Sequence, residues 1–325
     1  MNARESVRGV TARPDSRVTA GRALVGAIVV LVVWVSAPVH CTAADLAATS
    51  RAVESAEQPA PVDAETPEFD RAAFLARLRT ATDVGAAVGA RVSIAFMDRA
   101  SGFRADNGNV DPIETASVSK LFIADDLFFR DDQGEVDLSS SDTALIVSML
   151  RSSDDSAAEQ LWNRFGRSDI VGRVAARYGL SSTSVGTEEE WWRTLTTMPD
   201  VVTYYSRLVD GSAGLAPARS ASIITSLQNF TASGADGYYQ RFGLPDALGG
   251  ESSIGVKQGW MCCVGGDWIH LSTGVVGLDD RFIVSIGSRE NVDMYGGGSI
   301  GADHARSTVT AVASALFPPG RITSR

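Results

Sequence analysis

Ser117-Val118-Ser119-Lys120 places a hydroxyl three residues before an amine, at the head of an apolar run, Leu121-Phe122-Ile123-Ala124. On a helical turn, positions i and i+3 share a face, so a helix here brings Ser117 Oγ and Lys120 Nζ together. A serine hydroxyl is a poor nucleophile until a neighbouring base takes its proton. A partly desolvated lysine has its pKa lowered enough to be that base. Serine and lysine meet at this spacing often by chance, so the rest of the composition decides how much the pair means. Of 29 basic residues, 27 are arginine and two are lysine, Lys120 and Lys257. Arginine cannot be deprotonated, so it supplies surface charge but not a base. The chain keeps lysine at two places where a titratable or compact ammonium has a use.

The second lysine lies in Gly255-Val256-Lys257-Gln258-Gly259-Trp260, and Ser152-Ser153-Asp154-Asp155 lies between the two. Ser-x-x-Lys, then Ser-Asp-Asn, then Lys-Thr-Gly is the ordered pattern of the penicillin-recognising serine enzymes. From Phe69 to Phe317 the chain resembles that superfamily, and within it the class A β-lactamases, as an exported serine hydrolase of actinobacterial type. The resemblance implies an α+β serine β-lactamase/transpeptidase-like fold. That fold is a five-stranded antiparallel sheet flanked by helices, plus an all-helical lobe at about residues 121–220.

The resemblance also implies roles. Ser117 is the acylated nucleophile and Lys120 its proton acceptor or relay. Ser153 shuttles the proton to the leaving amine. Lys257 lowers the proton affinity of that hydroxyl pair and attracts a substrate carboxylate. Backbone N–H groups of Ser117 and Trp260 form an oxyanion hole, and Gly259 lets substrate lie against the strand edge. Glu190, in Glu188-Glu189-Glu190-Trp191-Trp192, stands for the loop glutamate that activates the deacylating water. That loop is short, reaching Thr196-Thr197-Met198-Pro199 within ten residues, and no asparagine occurs between Asn163 and Asn229. Three consecutive acids also read as a solvated helix start.

Two positions depart from the pattern. Asp155 replaces the asparagine that contacts the acyl side chain, and its carboxylate is expected to pair with Lys120 and raise its pKa. Gln258 replaces the hydroxyl residue that contacts the substrate carboxylate, although its amide is still a donor. Ser117 and Ser153 are 36 positions apart, fewer than the resemblance leads one to expect, and Ser153 and Lys257 are 104 apart. A trimmed loop in the first interval opens one wall of the cleft.

Residues 1–43 carry Arg4, Arg8, Arg13, Arg17 and Arg22 and then an uncharged, largely apolar stretch from Ala23 to Ala44. This is the pattern of an export signal, with an uncleaved anchor or lipidation at Cys41 as alternatives; His40 before that cysteine departs from a lipidation site. Asp45 to Pro67 reads as a disordered spacer, giving a hydrolase domain at 68–320. Removing residues 1–43, with five arginines and two acids, leaves 24 basic against 37 acidic groups, or −13, which argues against a nucleic-acid partner. The expected partner is a small-molecule or peptidoglycan-like substrate, with N-terminal membrane association, in an otherwise monomeric protein.

Period-three and period-four apolar spacing predicts helices at Phe69–Thr82, Lys120–Phe129, Asp142–Leu150, Ser156–Phe165, Val201–Leu208, Pro217–Phe230 and His304–Leu316. Alternation predicts strands at Arg91–Asp98, Gly102–Ala105, Ser253–Gly259, Trp268–Gly277 and Arg281–Ser288, with Asp279-Asp280 turning the last pair into a hairpin. Cys262 and Cys263 are either bridged to each other or two buried thiols. Gly297-Gly298-Ser299-Ile300-Gly301 has nucleophile-elbow spacing, but that motif needs a preceding strand and a distant downstream acid and histidine, and here only Asp303 and His304 follow closely, so it reads as a glycine-rich loop. Three unpaired histidines argue against a catalytic metal, and no cofactor is expected. The leading expectation is an exported serine hydrolase working through an acyl-enzyme, extracellular or attached to the cell envelope. The alternatives are a non-catalytic binding protein on the same scaffold and a D,D-peptidase.

Overall fold

The computed structural model describes residues 69–322. The export segment expected at 1–43 and the spacer expected at 44–67 lie outside the described residues.

Helix α1 (Arg71–Ala87) is capped by Asp70, whose carboxylate accepts from Ala73 N at 2.9 Å. Its buried face is Phe74, Leu78, Ala81 and Gly85. Strands β1 (Arg91–Asp98) and β2 (Phe103–Asp106) follow and pair antiparallel. Short β3 (Ile113–Glu114) leads into one 3-10 turn, Ala116–Ser119, and then into α2 (Lys120–Asp132). Helices α3 (Ser140–Arg151), α4 (Asp155–Phe165) and α5 (Ser168–Tyr178) build the lobe. Strand β4 (Leu195–Thr196) pairs with β3, and α6 (Met198–Asp210) and α7 (Pro217–Gln228) complete the lobe. After a short α8 (Leu244–Ala247) come β5 (Ile254–Val264), β6 (Asp267–Val276) and β7 (Phe282–Asn291). A short α9 (Val292–Tyr295) and the long α10 (Ser299–Leu316) close the fold.

The five strands run in the order β2-β1-β7-β6-β5, all neighbours antiparallel, so the class and sheet expected from the sequence are found. Strand alternation sends the side chains to two cores. Val92, Ile94, Phe96, Val284 and Ile286 pack with α1 and α10. Ala95, Leu271, Val275 and Ile283 pack against the helical lobe. Burial on both faces is why β6 is buried from end to end.

Helix α2 runs through the lobe with every residue from Lys120 to Phe128 buried. Its two acids are matched, not exposed. Asp125 takes hydrogen bonds from Arg177 and Tyr178, and Arg173 grips both oxygens of Asp126 at 2.8 Å. Burial pushes the Asp125 carboxyl upward while Arg177 opposes it. Breaking such a pair leaves an uncompensated buried charge, so these contacts fix α5 against α2.

The structure adds to the sequence expectation: the short β3, β4, α8 and α9 are new, and three longer elements differ. Helix α5 was not anticipated, although Ile170, Val171, Val174 and Tyr178 form its buried face and Gly179 ends it in the left-handed conformation. Strand β5 passes Gly259 and reaches Val264, because pairing with β6 continues through Met261 opposite Ile269 before the register shifts. Ser299 opens α10 behind the Gly298 cap.

Candidate active site

The turn before α2 sets the nucleophile. Ala116 has a φ of +44°, and Ser153 has a φ of +53° at the turn between α3 and α4. Left-handed backbone costs a residue with a Cβ about 1–2 kcal/mol, and both examples lie where chemistry is expected. The 3-10 turn abuts β5 at Gly259, where a Cβ would stand 2.6 Å from Thr115 O. Gly259 therefore serves close approach of the turn to the strand. Ser117 and Trp260, on the two sides of that contact, line the same cavity of about 540 Å³.

Lys120 is fully buried, and its Nζ donates to Ser117 Oγ at 2.9 Å, Ser153 O at 2.6 Å and Asp155 Oδ1 at 2.5 Å. The Trp191 ring covers it, with its centroid 4.6 Å from Nζ. Burial lowers the Lys120 pKa, and Asp155, Asp154 and Asp236 oppose that shift without cancelling it. The ion pair expected from Asp155 is therefore present, but desolvation outweighs it. The Asp155 side chain remains 67% exposed.

Lys257 is also buried, and its Nζ donates to Ser153 Oγ and to Gln258 O, the latter at 3.2 Å. Burial holds its pKa well below the usual range, and the nearby charge of Lys120 adds to that. Ser153 Oγ donates onward to Gln240 Oε1 at 3.2 Å. Gln240 is in turn held by Arg151 O at 2.9 Å and Thr231 O at 2.6 Å. Ser117, Lys120, Ser153 and Lys257 thus form one connected hydrogen-bonded group. Gln240 anchors it, and nothing in the sequence marked that residue.

Gln258 does not face this group. Side chains alternate along β5, so Lys257 points to the lobe while Val256 packs in the opposite core. Gln258 is 1% exposed, and its Nε2 donates to Phe242 O at 2.5 Å. The amide expected to meet a substrate is committed to the backbone behind the strand. The expected glutamates stand apart as well. Glu188 pairs with Arg193 at 3.1 Å, and Glu190 is half-buried ahead of the turn Trp191–Arg193. The glutamate lining the cavity is Glu159, on α4 one turn beyond Asp155, and its Oε2 accepts from Trp191 Nε1 at 3.2 Å. Sequence reading passed over it because an acid on a polar helix face looks like ordinary surface charge.

Cys262 and Cys263 are joined by a disulfide at the cavity rim. Cys263 is exposed, which sets aside the reading of two buried thiols. The described histidines lie elsewhere. His270, on β6, is buried with Nε2 at 2.7 Å from Tyr238 OH, and burial pushes its pKa down to about 3. His304 is paired with Glu290 at 2.6 Å. Among the described residues no cluster of three or more metal-ligating side chains occurs.

The order of strands, the lobe between them and the placement of Ser117 in the turn that opens the lobe's central helix define a β-lactamase-like fold. Solved structures agree. A β-lactamase from Xanthomonas campestris superposes with a TM-score of 0.60 at 19% identity, covering 76% of this chain and 97% of its own. One from Chitinophaga pinensis gives 0.62 at 12% identity, covering 76% and 100%. A reconstructed ancestral class A β-lactamase gives 0.60 at 17% identity, covering 75% and 99%. No protein-family model matches the chain. Curated relatives are closer in sequence: the "Putative lipoprotein LppW" of Mycobacterium tuberculosis H37Rv and of Mycobacterium bovis are 48% identical over 246 residues, covering 76% of each chain. The chain belongs to the LppW family.

Proposed function

We propose that this protein is an exported serine hydrolase that acts through an acyl-enzyme on Ser117. The observation that carries the reading is the buried Lys120 Nζ, 2.9 Å from Ser117 Oγ, with its pKa lowered by burial. A neutral amine at that distance is a base ready to take the hydroxyl proton as the oxygen attacks a carbonyl. Ser153, held between Lys257 and Gln240, carries the proton to the leaving group. The backbone N–H groups of Ser117 and Trp260 are the oxyanion donors, each worth about 10²–10³ in rate in sites of this kind. Covered by Trp191, the amine stays desolvated during the reaction.

Release of the acyl group is the weak step. Neither Glu190 nor its two neighbours lines the cavity, so the adduct is long-lived. For localisation, the Arg-flanked apolar stretch of residues 1–43 and the relatives' name as lipoproteins support export and attachment to the cell envelope. A non-catalytic binding protein is the second reading, and the ion pair of Asp155 with Lys120 favours it, because a charged lysine is no base.

Intact-protein mass after exposure to a fluorophosphonate and to a reactive penicillin separates the two. An adduct that maps to Ser117 supports the hydrolase. Absence of adduct with both reagents sinks it.

A further inference from the structure

We infer that the cleft selects acyl groups bearing a cationic substituent, such as a quaternary or primary ammonium, over neutral and anionic ones. This rests on the hydrolase reading and names the substrate class for the same site.

Three observations converge. First, the wall beside Ser117 is anionic. Asp155 and Glu159 lie four residues apart on α4, on one face of the helix, and both side chains are exposed to the cavity they line. The far rim repeats the sign: Trp260 Nε1 donates to Asp236 Oδ2 at 3.2 Å, and Asp236 is exposed. Second, none of the residues lining the cavity is arginine, lysine or histidine. The groups that a substrate carboxylate would need are withdrawn. Lys257 is 1% exposed and committed to Ser153 and Gln258 O, and Gln258 faces the opposite core. An anionic ligand would meet carboxylates and no free counter-charge. Third, one wall is indole: Trp191 and Trp192 pack edge to face at 5.0 Å and both line the cavity. Indole faces attract cations electrostatically, ammonium groups above all. Carboxylates at the mouth and an indole wall beside them form a site that compensates a cation for its lost water.

The test compares three para-nitrophenyl esters that share a leaving group. One carries a trimethylammonio-butanoyl group, one its neutral tert-butyl isostere, and one a succinyl half-acid. Acylation of Ser117 is followed by nitrophenolate release and intact mass. The cationic ester should react about tenfold faster or more than its isostere, and the succinyl ester slowest. Raising ionic strength should shrink the preference. Glu159→Gln should shrink it too, read as the ratio of the cationic to the neutral rate within the variant. Equal rates for the three esters, with a Ser117 adduct in each case, would overturn the inference and leave the hydrolase standing. If no ester and no fluorophosphonate labels Ser117, the hydrolase reading fails instead. Calorimetric binding of the corresponding trimethylammonio-butanamide to the Ser117→Ala protein then still decides: binding no tighter than that of the neutral amide overturns the inference.

Discussion

Two stretches of this chain are conspicuous for ionisable groups, and the fold treats them in opposite ways. Lys120 and Lys257 are 0% and 1% exposed, and their hydrogen bonds converge on Ser117 and Ser153. Glu188, Glu189 and Glu190 lie in a tight turn. Glu189 N bonds Gly186 O at 3.1 Å and Arg193 N bonds Glu190 O at 2.9 Å, while a Cβ on Gly186 would come 2.3 Å from Arg193 O. The turn is closely packed, and none of its three carboxylates is among the residues lining the cavity. The difference is one of cost. Burying an amine is expensive, so a buried lysine implies a structure built around it. Glutamates that keep contact with water, as Glu188 and Glu189 do fully and Glu190 in part, cost little and imply little.

Removing the nucleophile tests the lysine side at its strongest. Ser117→Ala should abolish labelling by fluorophosphonate. One oxygen is lost from a buried turn, so the thermal midpoint should move little. Undiminished labelling of the variant, read by intact mass, would place the nucleophile elsewhere and dissolve the contrast.

Next in size is the base. Lys120→Met should slow acylation by about 10²–10⁴, and Lys120→Arg should not restore it, since arginine keeps its proton and its planar fork does not fit a site built for a compact amine. Recovery in the arginine variant, measured as acylation rate, would mean that the position supplies charge and not a base.

The contrast between the two stretches also marks how far the sequence can be read. Both hairpin strands, the serine helix and the terminal helices follow from apolar period and turn residues, because burial of one face dictates them. Helix α5 follows the same rule, and Ile170, Val171, Val174 and Tyr178 were there to be counted. The orientation of Gln258 was also legible: with Lys257 facing the lobe, a period of two sends the next side chain to the other core. Gln240 and Glu159 were not. Each matters through what it meets across the fold, Ser153 in one case and Trp191 in the other, and no local spacing encodes those meetings.

Asp155 links the two sides, and its effect is one of pH. The acylation rate should rise with pH as Lys120 sheds its proton, with a midpoint below the 10.5 of a free lysine, because burial depresses it. Asp155 supplies the largest opposing contribution, both as a charge and as a hydrogen-bond acceptor. Asp155→Asn removes both, so the midpoint should fall further and acylation at neutral pH should quicken. The same sign governs stability. Between the depressed folded pKa and that of the unfolded chain, the unfolded state binds the extra proton, so stability rises with pH across this window and the variant widens it. A pH–rate profile that does not move would make Asp155 a spectator to Lys120, and one that moves upward would reverse the sign of its effect.

The smallest effect is expected at Glu190, and it sharpens the comparison most. If the loop glutamate supplied the deacylating base, its loss would cost about 10²–10⁴ in adduct decay, whereas a carboxylate standing off the cavity should leave the lifetime within about twofold. Decay of the Ser117 adduct, followed by mass over time, distinguishes the two for Glu190→Gln. Glu188→Gln and Glu189→Gln serve as internal controls, since Glu188 is held by Arg193 and Glu189 by the turn. A lifetime lengthened only in the Glu190 variant would show that the turn opens during the reaction and delivers this one carboxylate. An unchanged lifetime in all three would take the loop out of the release step and leave Glu159, the glutamate that lines the cavity, as the carboxylate to test next.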